Sequence, residues 1–160
     1  MKDVAGMSVR ISEYLVDVPI FADLDDRERV AIEKFMFFNR IIAGDFVFRE
    51  GDKGDFVCFV ASGVLEVTKT NHQGQVVVIA TLGKGSSLGE MSLIDKLTRS
   101  ASVKARTAVS LVVLTRKGFD MVLKMHPEMG IKILRGIASL LSINLRKTSE
   151  RLAEFMPPLA

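Results

Sequence analysis

This 160-residue chain has little of several things, and each scarcity closes off a class of explanation. It has one cysteine, Cys58, so no disulfide forms within it, and there is no CxxC pair or Cys/His cluster to hold zinc. That usage fits a reducing, cytoplasmic compartment. The two histidines, His72 and His126, stand far apart. No metal-ligating set and no nucleophile–base pair is visible, so neither enzymatic activity nor a bound cofactor is expected. Carboxylates gather in Glu50-Gly51-Asp52-Lys53-Gly54-Asp55, but their spacing is wrong for an EF-hand and suits turns better. No stretch approaches the ~20 unbroken apolar residues of a membrane-spanning helix. The most apolar helical region, Ile131 to Ile143, is broken by Lys132 and Arg135. Met1 to Arg10 lacks the basic-then-apolar run of a secretory leader. Internal repeats, low-complexity tracts and linkers are also missing. Net charge is only +3, a mild basic excess that reads as a solubility trait rather than as a nucleic-acid-binding face.

What remains is a composition of 48% hydrophobic and 26% charged residues, which suits one globular domain with a substantial core. Residues 1–160 read as a single domain in three parts: helices over 1–36, strands over 37–115, and helices over 116–156. Ile11 to Val18 has helical character and ends at Pro19. Asp25 and Asp26 precede an amphipathic run, Arg27 to Phe38, with Val30, Ile32, Phe35 and Met36 on its apolar side; acidic residues there satisfy free N–H groups and suit the helix dipole. From Phe37 to Thr115, short β-rich runs are cut by glycine: Phe46–Phe48, Phe56–Val60, Val64–Val67, Val76–Leu82, Ala101–Ala105 and Leu111–Leu114. Many short strands between frequent turns predict a sandwich or barrel rather than βαβ units. Helical character returns at Arg116–Met125, stops near His126-Pro127, and resumes with Pro127 at the first helical position, running to about Phe155 before Pro157-Pro158.

The most informative stretch is Leu88-Gly89-Glu90-Met91-Ser92-Leu93-Ile94 through Arg99-Ser100-Ala101. It lies among strands, yet Glu90 to Asp95 has the look of one or two helical turns. A glycine entering a short helix offers backbone N–H groups to an anion. The arginine fork matches phosphate oxygens, and a nearby carboxylate can accept from a sugar hydroxyl. Two readings of these residues stand side by side: a phosphate-plus-ribose site, or a surface turn in which Glu90 and Arg99 form an ion pair.

Gly89-Glu90-Met91-Ser92-Leu93, followed by Arg99-Ser100-Ala101, resembles the phosphate-binding cassette of the cyclic-nucleotide-binding family, found in catabolite activator proteins and in regulatory subunits of cAMP-dependent protein kinase. A second family signature stands at Gly44-Asp45-Phe46-Val47-Phe48-Arg49-Glu50-Gly51-Asp52-Lys53-Gly54-Asp55-Phe56, continuing to Ser62-Gly63, and the likeness extends over about Leu15 to Phe155. The resemblance implies a β jelly roll (double-stranded β-helix) with N-terminal helices and a long C-terminal helix. It implies that Arg99 pairs with the cyclic phosphate, Glu90 holds the ribose 2′-hydroxyl, and backbone N–H groups from Gly89 through Met91 to Ser92 cap the phosphate. Ser100 would reach the phosphate or the purine edge, with Leu88 and Ala101 completing the cassette. Ile79, Leu82 and Val67 fall where family members line the base pocket, or serve as ordinary core. Cupins share the jelly roll but need clustered histidines, which this sequence lacks.

In the last helix, Ile131, Leu134, Ala138, Leu141, Leu145, Thr148, Leu152 and Phe155 alternate steps of three and four, a heptad seam. Ile133, Ile137 and Leu140 form a second apolar set that can face the domain. A helix apolar on two sides packs on its own domain and on a partner, and a twofold homodimer is the expected one. Thr148 interrupts the seam, either as a tolerated polar residue or as a ligand contact. In catabolite activator proteins a Thr-Ser-Glu segment here contacts the adenine amino group, one residue coming from the second subunit, and Thr148-Ser149-Glu150 matches it in order and place. The ligand so implied is cAMP, with cGMP open through the Ser100 hydroxyl. The chain reaches Ala160 without a recognition helix, so DNA binding is not expected, nor is membrane attachment, and any output passes through an unknown effector protein. Two other readings stand beside this one: a dimerisation scaffold that has lost its ligand, and a phosphate-steered nucleic-acid binder.

Overall fold

The protein is described by a computed structural model covering residues 9–159. Most of the Met1–Arg10 segment considered above for a leader therefore lies outside the described residues. Among the described residues, eight strands form two four-stranded antiparallel sheets: β1 (Met36–Ile41), β2 (Phe46–Phe48), β3 (Phe56–Ser62), β4 (Leu65–Thr70), β5 (Val76–Leu82), β6 (Ser87–Leu88), β7 (Ser102–Ala105) and β8 (Val109–Thr115). The strand orders are β1-β8-β3-β6 and β2-β7-β4-β5, the jelly roll that the resemblance implies. Helices flank it: α1 (Ile11–Tyr14), α2 (Asp26–Ile32), α3 (Arg116–Met125) and α4 (Pro127–Phe155).

Side-chain alternation along β3 and β8 builds two hydrophobic cores back to back. Cys58, Val60, Leu111 and Val113 point between the sheets, where they meet Leu65, Leu88 and Val103. Val57, Phe59, Val112 and Leu114 point the other way, into a helical core with Leu15, Phe21, Ile32, Phe119, Ile133 and Ile137. There Phe21 meets Phe59 edge-to-face, with ring centroids 4.9 Å apart. β8 is therefore buried on both faces and hydrogen-bonded on both edges. Its nearly continuous apolar sequence is what a strand in that position requires.

Two elements differ from expectation. The helix predicted over Arg27–Phe38 stops at Ile32, tightens into a 3₁₀ turn over Glu33–Phe35, and gives way to β1. Local spacing suited a helix there, but the full ladder from Met36↔Leu114 to Ile41↔Val109 decides otherwise, because pairing with a buried central strand outweighs local propensity. Val30 remains within α2 but is exposed rather than part of an apolar helix face. The start of α2 is as expected: Asp25 and Glu28 form a reciprocal capping box. β6, only two residues long, left no sequence signal.

Two contacts position the site. The first is made by Arg116, at the start of α3. Its guanidinium donates to Gly54 O at 2.7 Å, to Ser92 O at 2.9 and 2.5 Å, and to Asp95 O at 2.7 Å. One side chain thus ties the β2–β3 loop and the Glu90–Leu93 3₁₀ turn to the C-terminal helices. The second is a close approach of α4 to the Pro19–Phe21 turn. A Cβ on Gly136 would lie 2.1 Å from Ile20 O and under 3 Å from two more Ile20 backbone atoms. In α4, Pro127 takes the first-turn position, Ile133 and Ile137 are buried, and Ile131, Leu145, Leu152 and Phe155 are exposed.

Gly136→Ala therefore separates helix propensity from packing. In an exposed helix the change would stabilise by up to about 1 kcal/mol. Here it is expected to lower stability by roughly 1–3 kcal/mol through overpacking against backbone. Chemical denaturation checks this, and a stabilised variant would mean that α4 does not pack this closely on Ile20.

Candidate functional site

Between β4–β5, the turn after β6, the Glu90–Leu93 3₁₀ turn and α4 lies a cavity of about 480 Å³. Its wall includes Ile79, Leu82, Leu88, Gly89, Glu90, Met91, Ser92, Arg99, Ser100, Ala101 and Thr148, together with Val67. The cassette residues, the three base-lining candidates and Thr148 are thus brought to one place, from five separate stretches of chain. Ser149 is exposed on α4 and does not line it.

Gly89 adopts a left-handed backbone conformation, φ 77°, and a Cβ there would stand 2.2 Å from the Arg99 guanidinium. Both the conformation and the close approach call for glycine. Gly54 is similarly constrained, since its Cβ would meet Ser92 Oγ at 2.2 Å. The turns around the arginine are shaped to let its fork through.

Arg99 is only 5% exposed. Its Nη1 donates to Ser92 Oγ at 2.7 Å and to Gly89 O at 3.4 Å, and its Nη2 donates to Phe56 O at 2.8 Å. The guanidinium carbon lies 4.0 Å from the Phe48 ring centroid and 4.6 Å from that of Phe56. Its Nε is buried with no hydrogen-bond partner, and among the described residues no carboxylate comes within ion-pair distance. Burial pulls its pKa below the usual arginine value, against the pull of Cys58, Asp55 and Asp52. Arginine nonetheless stays charged. A buried cation held only by carbonyls, a hydroxyl and aromatic faces favours an incoming anion, because an unpaired buried charge is costly.

Glu90 is half-buried at the same wall, and the Glu90–Arg99 ion pair of the alternative reading is not formed. Burial pushes its carboxyl above the ordinary range, more than its own backbone N–H and the Arg99 charge pull it down. Ser92 behaves differently from expectation: its amide donates to Gly89 O at 3.0 Å, and its hydroxyl accepts from Arg99. Thr148 projects from α4 at the far wall, its hydroxyl donating to Asn144 O at 2.9 Å.

Some residues of the site were not anticipated. Phe48 and Phe56, whose rings meet edge-on beside the guanidinium, stood inside the second signature, but nothing local linked them to Arg99. Leu97 and Thr98 line the mouth from the loop before Arg99. Asn144 also lines the cavity, and its spacing of four from Thr148, one helical turn on the same face, was the signal that would have found it. Among the described residues there is no group of three or more potential metal ligands, and no helix is long and apolar enough to cross a membrane.

Comparison with known proteins agrees with this geometry. Residues 39–126 match the family model described as cyclic nucleotide-binding domain. A cAMP-dependent protein kinase regulatory subunit from Yarrowia lipolytica is 36% identical over 110 residues, which are 69% of this chain and 28% of that protein. The chain spans about a third or less of the length of the curated relatives it matches. Among solved structures, a cyclic nucleotide-binding domain from Methylobacillus flagellatus KT superimposes with a TM-score of 0.83 at 28% identity, covering 94% of this chain and 85% of that one. The Thermus thermophilus catabolite activator protein gives 0.76 at 30% identity, covering 84% and 62%. With the family signature, the jelly roll and the buried arginine cavity in agreement, the chain belongs to the cyclic nucleotide-binding domain family.

Proposed function

We propose that this protein is a cAMP sensor, a regulatory rather than catalytic module that acts through a protein partner. The observation that carries the reading is Arg99, a buried guanidinium with an unpartnered Nε and, among the described residues, no carboxylate partner, at the wall of a cavity large enough for a nucleotide. The cyclic phosphate would pair with Arg99 and with backbone N–H groups of the Gly89 turn. Glu90 would accept from the ribose 2′-hydroxyl, and Val67, Ile79 and Leu82 would line the base.

Thr148 supports adenine as the base. Its hydrogen is committed to Asn144 O, so toward the cavity it offers an acceptor. Adenine presents an amino donor at the ring position where guanine presents a carbonyl. Ser100, an exposed hydroxyl at the phosphate end of the cavity, is the feature that favours cGMP instead. Ser149, placed outside the cavity, would reach a base only in the second subunit of a dimer. The exposed seam residues Leu145, Leu152 and Phe155 supply a face for that dimer.

Signalling follows from the linkage at Arg116. Phosphate drawing on Arg99 and the Gly89 turn would move the 3₁₀ turn, whose carbonyls Arg116 binds. That motion would reach α3, the bend at His126-Pro127 and α4. Ligand shifts the balance between the two arrangements only by its difference in affinity for them. One domain over residues 1–160, in the cytoplasm, is part of the same proposal.

Calorimetric titration with cAMP and cGMP, after unfolding and refolding to strip carried-over nucleotide, tests the reading. Binding that prefers cAMP is expected, and Arg99→Ala should weaken it by about 2–4 kcal/mol with the fold intact. Unchanged affinity in that variant would refute the site, and equal binding of cGMP would remove the adenine preference. Because burial raises the pKa of Glu90, the ionised form needed for the ribose contact is lost as pH falls through that raised value. Affinity should therefore decline toward acid at a pH above the ordinary carboxylate range, and Glu90→Gln should flatten that decline. A wild-type profile flat down to that range would separate Glu90 from the ribose. Finally, Leu145→Glu with Leu152→Glu should yield monomers in sedimentation equilibrium; a dimer that survives both changes would place the interface elsewhere.

A further inference from the structure

A second cavity, of about 230 Å³, lies between the two sheets on the opposite side of the Arg99 cage. Its opening follows from topology. β1 and β2 are consecutive in sequence but are edge strands of different sheets, so no ladder closes the gap between them. β1 turns Met36 and Phe38 toward the helical core, which sends the alternate residues Phe37 and Asn39 to the gap. Phe37, on this edge, is 47% exposed. Behind it the walls are Val113, Phe56 and the buried thiol of Cys58. Asn39 and Asp55, both exposed, bring acceptor oxygens to the rim.

Protein interiors rarely keep voids much larger than a water molecule. An apolar cavity of roughly 150 Å³ suffices for benzene. The volume here suits one or two fused rings, the two phenylalanines suit an aromatic ring, and the rim oxygens suit a hydrogen-bond donor. We propose that this slot is a binding site for a small planar aromatic carrying an N–H group, of the indole class. It is distinct from the nucleotide cavity, and the wall between the two is one side chain thick. Phe56 lines the slot, and its ring lies 4.6 Å from the Arg99 guanidinium carbon on the other side. The wall continues where Cys58 pairs with Leu88 in the β3–β6 ladder, since Cys58 faces the slot and Leu88 faces the nucleotide cavity.

Indole itself is the probe, with the whole chain. Methyl NMR should show saturable shifts at Ile41 and Leu111, which also line the slot. Cys58, whose thiol burial pushes up to about 12, is the sole cysteine, so its rate of reaction with a thiol reagent should fall several-fold at saturating indole. Val113→Phe, which fills the slot, should abolish both responses while cooperative unfolding is retained. Should that variant not fold, Phe37→Ala, at the half-exposed mouth, should weaken indole roughly three- to tenfold. 1-Methylindole, which lacks the donor, should bind more weakly than indole. The proposal is overturned by shifts confined to Ile79 and Leu82 in the nucleotide cavity, by no saturation up to the solubility of indole, by unchanged binding in the folded variants, or by equal binding of 1-methylindole.

Discussion

The site is organised around a guanidinium that the fold buries with no counter-charge in ion-pair contact among the described residues. Arg99 lies against the rings of Phe48 and Phe56, with two carbonyls and a hydroxyl as its hydrogen-bond acceptors and its Nε–H left without a partner. Aromatic faces and carbonyl dipoles partly offset the loss of water, but a full negative charge does so better. Much of the surrounding structure serves this arrangement. Gly89 and Gly54 omit side chains where a Cβ would collide with the fork or with Ser92. β2, the start of β3 and the Gly89–Ser92 turn meet at the guanidinium: Phe56 O, Gly89 O and Ser92 Oγ accept from it, and the Phe48 and Phe56 rings lie against it.

That cost is carried by the two cores. Because β3 and β8 send alternate residues to opposite faces, the barrel interior and the helical layer share the same two strands. A displacement at the Glu90–Leu93 turn therefore has rigid paths to the helices. One runs through Arg116, whose single guanidinium holds carbonyls from the β2–β3 loop and from the turn. Another runs along α4, which is held close to Ile20 at Gly136 and lines the Arg99 cavity further on with Asn144 and Thr148. Past that point the apolar residues of α4 are exposed, so the same helix touches the site, the core and open surface.

Much of this was legible in the sequence because its signals are local. Glycine placement marked the turns, β-rich runs between them marked most strands, and Asp25 with Asp26 marked a helix start, where Asp25 forms a reciprocal cap with Glu28. The cassette, Gly89-Glu90 to Arg99-Ser100-Ala101, could be read as one motif because its members are close in the chain. The split of α4 into Ile133 and Ile137 facing inward and Leu145 and Leu152 facing outward was likewise readable from a 3.6-residue period.

What only the tertiary structure decided has a common cause, contact between residues distant in sequence. Met36–Ile41 has a spacing compatible with a helix and becomes a strand because β8 offers it a ladder. Phe48 and Phe56 look like ordinary barrel residues until strand pairing brings both rings, edge-to-face, against Arg99. Arg116, a basic residue at a helix start where the dipole disfavours it, makes sense only once the carbonyls of Gly54, Ser92 and Asp95 are seen to converge on it. By itself the sequence determined which residue types could meet a phosphate and a sugar. Which neighbours would bury and orient them was left to long-range packing, because no local pattern encodes a contact between separate strands.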